Sequence, residues 1–200
     1  IVRACLPVDS VKGSAEGLAL AKLLLIASLP VFAAGAVFEE VVETALRNPH
    51  VIATTTAVFG ILLWAADRLG GRRRTLETLR WSDALLIGLA QAMALVPGVS
   101  RAGVTMTAAR ALGLDRRSAV RFSFLLAIPV ILGASVFKAI DLVGSPQAML
   151  WYVFGLGVVV SACSAWCVLV VFLRVIEKSG MLVFVLYRLL LAAFLFYWFQ

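Results

Sequence analysis

The nine residues Pro97-Gly98-Val99-Ser100-Arg101-Ala102-Gly103-Val104-Thr105 interrupt a chain that is otherwise apolar over long distances. A proline–glycine pair, two hydroxyls and an arginine stand between stretches greasy enough to lie in a membrane. An arginine within hydrocarbon costs several kcal/mol unless it is paired or faces a polar cavity, so it reads as functional. Broken backbone at that depth is tolerated only where it is buried in protein or lines a cavity. The nonapeptide therefore describes a pocket for something anionic, and restricts the fold to architectures that hold a helix break inside a bilayer.

The surrounding composition agrees. Of 200 residues, 62% are hydrophobic and 14% charged, with a mean hydropathy of +1.02, whereas soluble domains carry about 25% charged residues. The apolar residues come in long runs rather than at core-facing intervals, the signature of a polytopic membrane protein. The formal charge of +7 does not indicate nucleic acid. The arginines occupy short segments between apolar runs, as the positive-inside bias of cytoplasmic loops requires. Cys5, Cys163 and Cys167 form no disulfide framework. Cys163 and Cys167 lie four residues apart on one helix face, too few donors for zinc, which needs about four ligands, and are expected to be packing residues.

Residues 1–16 read as a peripheral segment, and 17–200 as one membrane domain. Gly17 to Phe38 is the first apolar run, with Pro30 as a kink. Asn48-Pro49-His50 is a turn signal, and Val51 to Ala66 is a second run. A basic connection carries Arg68, Arg72, Arg73, Arg74 and Arg80. Residues 82–96 are apolar, Pro97-Gly98 stops them, and 102–113 resume a helical pattern. Runs at 118–142, 147–173 and 181–199 follow. The clusters at 68–80, 116–121 and 174–178 belong on the cytoplasmic side. The segment between the first two must then cross an even number of times, yet it is too short for two spans of about 20 residues. A re-entrant helix–break–helix hairpin over 82–114 satisfies both constraints. From Arg101 to Arg110 is about 13.5 Å at 1.5 Å per residue, which sets Arg101 near the midplane with Arg110 snorkelling to the cytoplasmic interface. The expected fold is all-α and polytopic, with about five transmembrane helices plus this hairpin.

A half-helix that starts at Ser100 points its free amides and positive dipole end at the hairpin tip, which makes an anion site. Arg101 adds a fork that matches phosphate oxygens. Ser100 is an N-cap or a phosphate ligand, and Thr105 lies on the face of Arg101. Gly98 and Gly103 permit close approach of backbone and substrate. The bland alternative is a proline-kinked helix with a structurally paired arginine. Neither G-x-S-x-G nor a P-loop is present. Broken helices also occur in secondary transporters, so this architecture does not by itself separate transport from catalysis.

The stretch Gln91-Ala-Met-Ala-Leu-Val-Pro-Gly-Val-Ser-Arg-Ala-Gly-Val-Thr105, followed by Arg121-Phe-Ser-Phe-Leu-Leu-Ala-Ile-Pro129, closely resembles the undecaprenyl-diphosphatase (bacitracin-resistance) family, as does Tyr187-Arg188 in the last run. The resemblance covers roughly residues 17–200. It implies a multi-pass enzyme of the bacterial inner membrane, built of two inverted repeats, with its active site facing the periplasm. Such an enzyme hydrolyses undecaprenyl diphosphate to the monophosphate for cell-wall synthesis, with a divalent cation, magnesium or calcium. By the resemblance Arg101, Ser100 and Thr105 are catalytic, Arg101 clamping the diphosphate while Ser100 and Thr105 hold phosphate oxygens. Gly98, Gly103 and Gln91 line the substrate. Its partners are the prenyl diphosphate lipid and the bilayer, not nucleic acid, with self-association left open. Two departures stand out. The family's S-R-S-G reads Ser100-Arg101-Ala102-Gly103 here. Its first motif, an E-x-x-x-E pair followed by P-[VI]-S-S-[ST]-G-H, has no counterpart in residues 1–16, so the metal-binding carboxylates are expected outside these 200 residues and no metal ligand is assigned within them.

Other candidates have simpler readings. His50 follows Asn48-Pro49 and reads as a turn residue rather than a base. Glu39 and Glu43 read as a solvated helix end. Lys138 and Asp141 read as an interfacial pair, and Arg72–Arg74 as contacts to anionic headgroups. Trp151, Trp166 and Trp198 read as interface anchors or packing residues. Two rivals to the phosphatase remain: a transporter or flippase of an anionic prenyl lipid, and an inactive fragment.

Overall fold

A computed structural model describes residues 14–44, 46–71, 74–143 and 151–199. The peripheral segment assigned to 1–16, Cys5 included, falls almost wholly outside them. Seven α-helices run through the described residues: α1 Ser14–Thr44, α2 Pro49–Leu69, α3 Trp81–Ala92, α4 Arg101–Ala111, α5 Arg116–Val143, α6 Trp151–Ser179 and α7 Leu182–Trp198. Four contain a segment long and apolar enough to cross a membrane: Gly17–Phe38, Pro49–Leu69, Arg116–Phe137 and Tyr152–Ile176. The fifth expected span corresponds to α7, a shorter apolar helix of 17 residues, at the low end of the roughly 17–25 that span a bilayer. The chain is a multi-pass membrane protein, as its apolar helices indicate.

Local chemistry explains the helix ends. The Asn48 side chain accepts from the His50 amide at 2.9 Å, so Asn48-Pro49-His50 is the capped start of α2 rather than a separate turn. Asp83 accepts from the Arg80 amide at 3.0 Å at the start of α3. Asp115 accepts from the Ser118 amide at 2.8 Å at the start of α5. Gly113, at φ +87°, ends α4, with the Leu114 amide reaching back to the Ala109 carbonyl at 3.1 Å. Pro30 lies inside α1 without ending it.

The hairpin enters and leaves at one end of the molecule. The Arg74 amide donates to the Gly113 carbonyl at 3.2 Å, and the Asp115 amide donates to the Arg74 carbonyl at 2.8 Å. The connection before α3 is thus joined to the one after α4. The Arg116 guanidinium stacks beside Gly180, just before α7, so all three basic clusters meet at this end. Two apolar clusters hold the bundle. One joins Ala27, Ala84, Ile87, Leu114, Phe122 and Leu126 across α1, α3 and α5. The other joins Leu63, Met106, Val120, Ile176, Met181 and Val185 on the opposite flank of α4. At the α1–α3 crossing a Cβ on Gly88 would come 2.8 Å from the Ala27 Cα. Small residues permit such close crossing where no hydrophobic effect drives helices together.

Four expectations are corrected. The tip packs against Ile52, Thr55 and Thr56, within the first eight residues of α2, so it lies nearer the Pro49 end than the middle. Arg110 does not snorkel. It is fully buried, donating to the carbonyls of Asp67 at 3.0 Å, Gly70 at 3.3 Å, Gly71 at 2.8 Å and Leu114, with Nε 3.3 Å from Asp67 Oδ1. Hydrogen-bond acceptors at the α2 end satisfy it where it stands. Arg74 is a tether rather than a headgroup contact, because its side chain bonds Asp83 at 2.5 Å, the Thr78 carbonyl at 3.0 Å and the Leu112 carbonyl at 3.0 Å. That hydrogen bond to Asp83 raises the pKa of Arg74 above the ordinary arginine value. Arg72 and Arg73 lie outside the described residues. Cys163 and Cys167 are exposed rather than packed, because α6 is exposed on every side over residues 152–168. Trp166 and Trp198 are likewise exposed, Trp198 stacking on Phe194. The side chains of Glu39, Glu43, Lys138, Asp141 and Trp151 lie outside the described residues.

Candidate active site

The chain turns between the 3₁₀ turn Met93–Leu95 and α4. Gly98 takes φ +89°, where a Cβ would stand 2.5 Å from the Ile52 carbonyl oxygen, so both backbone shape and space demand glycine. A tip of this kind leaves carbonyls without helical partners, and each must find a donor. Thr55 Oγ1 donates to the Pro97 carbonyl at 2.7 Å, and Thr56 Oγ1 to that of Gly98 at 3.2 Å.

The third donor is Arg188 of α7, buried at 6% exposure. Its Nη2 donates to the Gly98 carbonyl at 2.8 Å, Nη1 to that of Val99 at 3.0 Å and Nε to that of Thr56 at 3.2 Å. One guanidinium thus fastens the hairpin tip to both α2 and α7. Gly60 accommodates its stem, a Cβ there coming 3.4 Å from that of Arg188, and Gly103 its head, since a Cβ on Gly103 would come 2.7 Å from Nη1. In the sequence Arg188 stands out only as half of the Tyr187-Arg188 pair. The signal available was a second arginine in an apolar run.

Ser100 is the pivot. It is exposed and holds φ +65° and ψ 110°, while its Oγ accepts from the Gly103 amide at 3.2 Å. A non-glycine residue in this region costs of order 1–3 kcal/mol, and such strain gathers at functional sites. Among the described residues the amides of Arg101 and Ala102 have no acceptor, and the Arg101 guanidinium makes no hydrogen bond or ion pair. Two open amides, a helix dipole, a hydroxyl and an arginine unpaired among the described residues give this end of α4 the chemistry to bind an anion.

The expected site residues divide. Ser100, Arg101, Gly98 and Gly103 gather at the tip, the two glycines serving the hairpin's own packing. Thr105 is buried, its hydroxyl bonded to the Arg101 carbonyl at 2.9 Å and to Ser123 Oγ at 2.6 Å, so it ties α4 to α5 rather than facing the tip. Gln91 is wholly buried, Nε2 3.5 Å from the Ala27 carbonyl and Oε1 without a partner among the described residues. It lies at the α1–α3 crossing. His50 is exposed at the start of α2, its ring 6.3 Å from that of Phe196. Among the described residues no three His, Cys, Asp or Glu side chains come together as a cation site.

Residues 3–194 match the family described as bacitracin resistance protein BacA. The chain belongs to that family. Within it, the chain is 49% identical over 185 residues to the undecaprenyl-diphosphatase of Teredinibacter turnerae, covering 92% of this chain and 70% of that protein. It is 48% identical over 183 residues to the undecaprenyl-diphosphatase of Alcanivorax borkumensis, covering 92% and 69% respectively. Undecaprenyl-diphosphatase 2 of Stutzerimonas stutzeri is 49% identical over 179 residues, covering 88% and 66%. The BacA family match spans every element around the helix break.

Proposed function

We propose that the protein is a membrane phosphatase that hydrolyses undecaprenyl diphosphate to undecaprenyl phosphate and inorganic phosphate, recycling the lipid carrier of cell-wall synthesis and so conferring bacitracin resistance. The single observation that carries the reading is the Arg101 guanidinium, without a partner among the described residues at the open amide end of a half-helix within a bundle of apolar helices. An arginine so placed has a bound anion as its natural partner.

In this reading the N-terminus of α4 receives the terminal phosphoryl group. Water attacks its phosphorus, the bridging P–O bond breaks, and the lipid monophosphate leaves with the bridging oxygen. Arg101 and the amides of Arg101 and Ala102 stabilise the charge that develops on the phosphoryl oxygens. The Ser100 hydroxyl contacts the same oxygens. Thr105 supports them from behind by holding α4 against α5. A divalent cation, magnesium or calcium, accompanies the diphosphate. The residues at the break are anion-binding groups and do not supply a cation site, so no step is routed through it. The protein sits in the bacterial inner membrane with 17–200 as one membrane domain. The basic clusters face the cytoplasm and the tip opens toward the periplasm, which suits the tip's place near the Pro49 end of α2.

The test is phosphate release from undecaprenyl diphosphate in detergent with divalent cation. Arg101→Ala is expected to lower release at least about 100-fold, the scale of losing one oxyanion donor. Undiminished release would overturn the mechanism, and lipid binding without release would favour a flippase.

A further inference from the structure

Behind Ser100 lies a cavity of about 90 Å³, lined at one end by Ser100 and Arg188 and elsewhere by Leu63, Met106, Phe172 and Phe184, among others. It runs from the polar tip along α4 toward the basic end of the molecule, between α2, α6 and α7. Its polar groups lie at one end only. Arg188 spends three donor nitrogens on carbonyls, which leaves Ser100 as the hydroxyl facing the space. Phe172 and Phe184 present rings 4.1 Å apart, with Phe124 edge-on at 5.1 Å from Phe172. Such a wall favours a branched, unsaturated chain over water, because an apolar cavity stays dry.

We infer that this cavity takes the methyl-branched double bond of the first five-carbon unit of the lipid, the one attached to the diphosphate. The inference rests on the phosphatase reading of the tip, for it needs an anionic headgroup at Ser100. Size sets the limit: an apolar cavity of about 150 Å³ holds a six-carbon ring, so one of about 90 Å³ holds about three or four carbons, the methyl-branched double bond rather than the whole five-carbon unit. Continuity sets the direction, since the headgroup at the α4 amides and the chain below Ser100 meet at the same residue. The protein therefore reads the branching at the head of the chain and is indifferent to total length, the remaining units lying in lipid.

The test measures equilibrium binding to the full chain in nanodiscs, with farnesyl diphosphate, undecaprenyl diphosphate, n-dodecyl diphosphate and inorganic pyrophosphate as probes. Farnesyl diphosphate is expected to bind about tenfold tighter than the straight-chain compound, the worth of one or two buried methylenes. Leu63→Phe, which fills the cavity, should weaken both prenyl diphosphates by the same factor of about ten, and pyrophosphate by far less. Ile176→Ala, which enlarges it, should erode the branched-over-straight preference without filling anything, and serves if Leu63→Phe does not fold. Equal binding of branched and straight chains, or an effect of Leu63→Phe that grows with chain length, would overturn the proposal. Phosphate release is scored separately. A lost preference with release intact sinks the cavity alone, and a preserved preference without release sinks the phosphatase reading alone.

Discussion

Ser100 holds a left-handed backbone without being glycine, and keeps a hydroxyl at the tip in exchange. Ser100→Gly should relieve strain of order 1–3 kcal/mol while losing only a few tenths from the cap. The expected outcome is a protein more stable by about 1 kcal/mol to thermal unfolding in detergent, with slower phosphate release. Unchanged stability would show that the conformation is not strained. Arg188 acts differently, through the carbonyls of Gly98, Val99 and Thr56 rather than on substrate. Arg188→Lys keeps the charge but cannot bridge three acceptors, so the tip should shift. A displacement near 1 Å can cost about 100-fold in rate. The loss is expected in kcat, with KM moved less, and full activity in Arg188→Lys would remove Arg188 from the positioning role. Ser100 and Arg101 were legible as candidates at the hairpin tip because a hydroxyl and a charge beside Pro-Gly in apolar sequence violate local expectation. Thr105 was legible as polar but not as buried, since its partner Ser123 is a turn-and-helix away and no local rule pairs them.

At the scale of elements, α4 is held at both ends by arginines from different places: Arg188 at its N-terminus, and its own Arg110 at its C-terminus. Asp67, at 6% exposure, serves two cations there. It takes a bidentate pair from Arg116 at 2.7 and 2.7 Å, and lies 3.3 Å from Arg110 Nε. Removing one partner of a buried ion pair costs about 3–5 kcal/mol, because the other charge is left uncompensated. Asp67→Asn is therefore expected to lower the unfolding midpoint strongly, while Asp67→Glu recovers part of it. A neutral effect would mean that the backbone carbonyls alone satisfy Arg110. Gly98→Ala belongs to this scale as well, because the added Cβ would drive the hairpin away from α2. Loss of folding or of phosphate release is the expected result. The helix–break–helix arrangement itself was legible from charge and length. Its depth was not, because counting residues along α4 fixes a length but not the point on α2 where the tip docks.

For the whole molecule, the three basic clusters meet at one end while Asn48 and the end of α7 lie at the other. A membrane-impermeant maleimide added to intact cells should label Asn48→Cys but not Arg117→Cys, in a background where Cys5, Cys163 and Cys167 are serine. The reverse pattern would invert the proposed orientation. From sequence alone one could know that this chain is helical and that it crosses a membrane several times, and one could single out the polar break at Pro97–Thr105 as the candidate site. Those features follow from hydropathy, charge placement and helix-breaking residues, all of which act within a few positions along the chain. Only the tertiary structure decided that Arg188 braces the tip, that Arg110 is buried against α2, and that Thr105 turns away from it. Each depends on contacts between residues 18 to 132 positions apart, where a buried polar group takes whichever partner packing brings near.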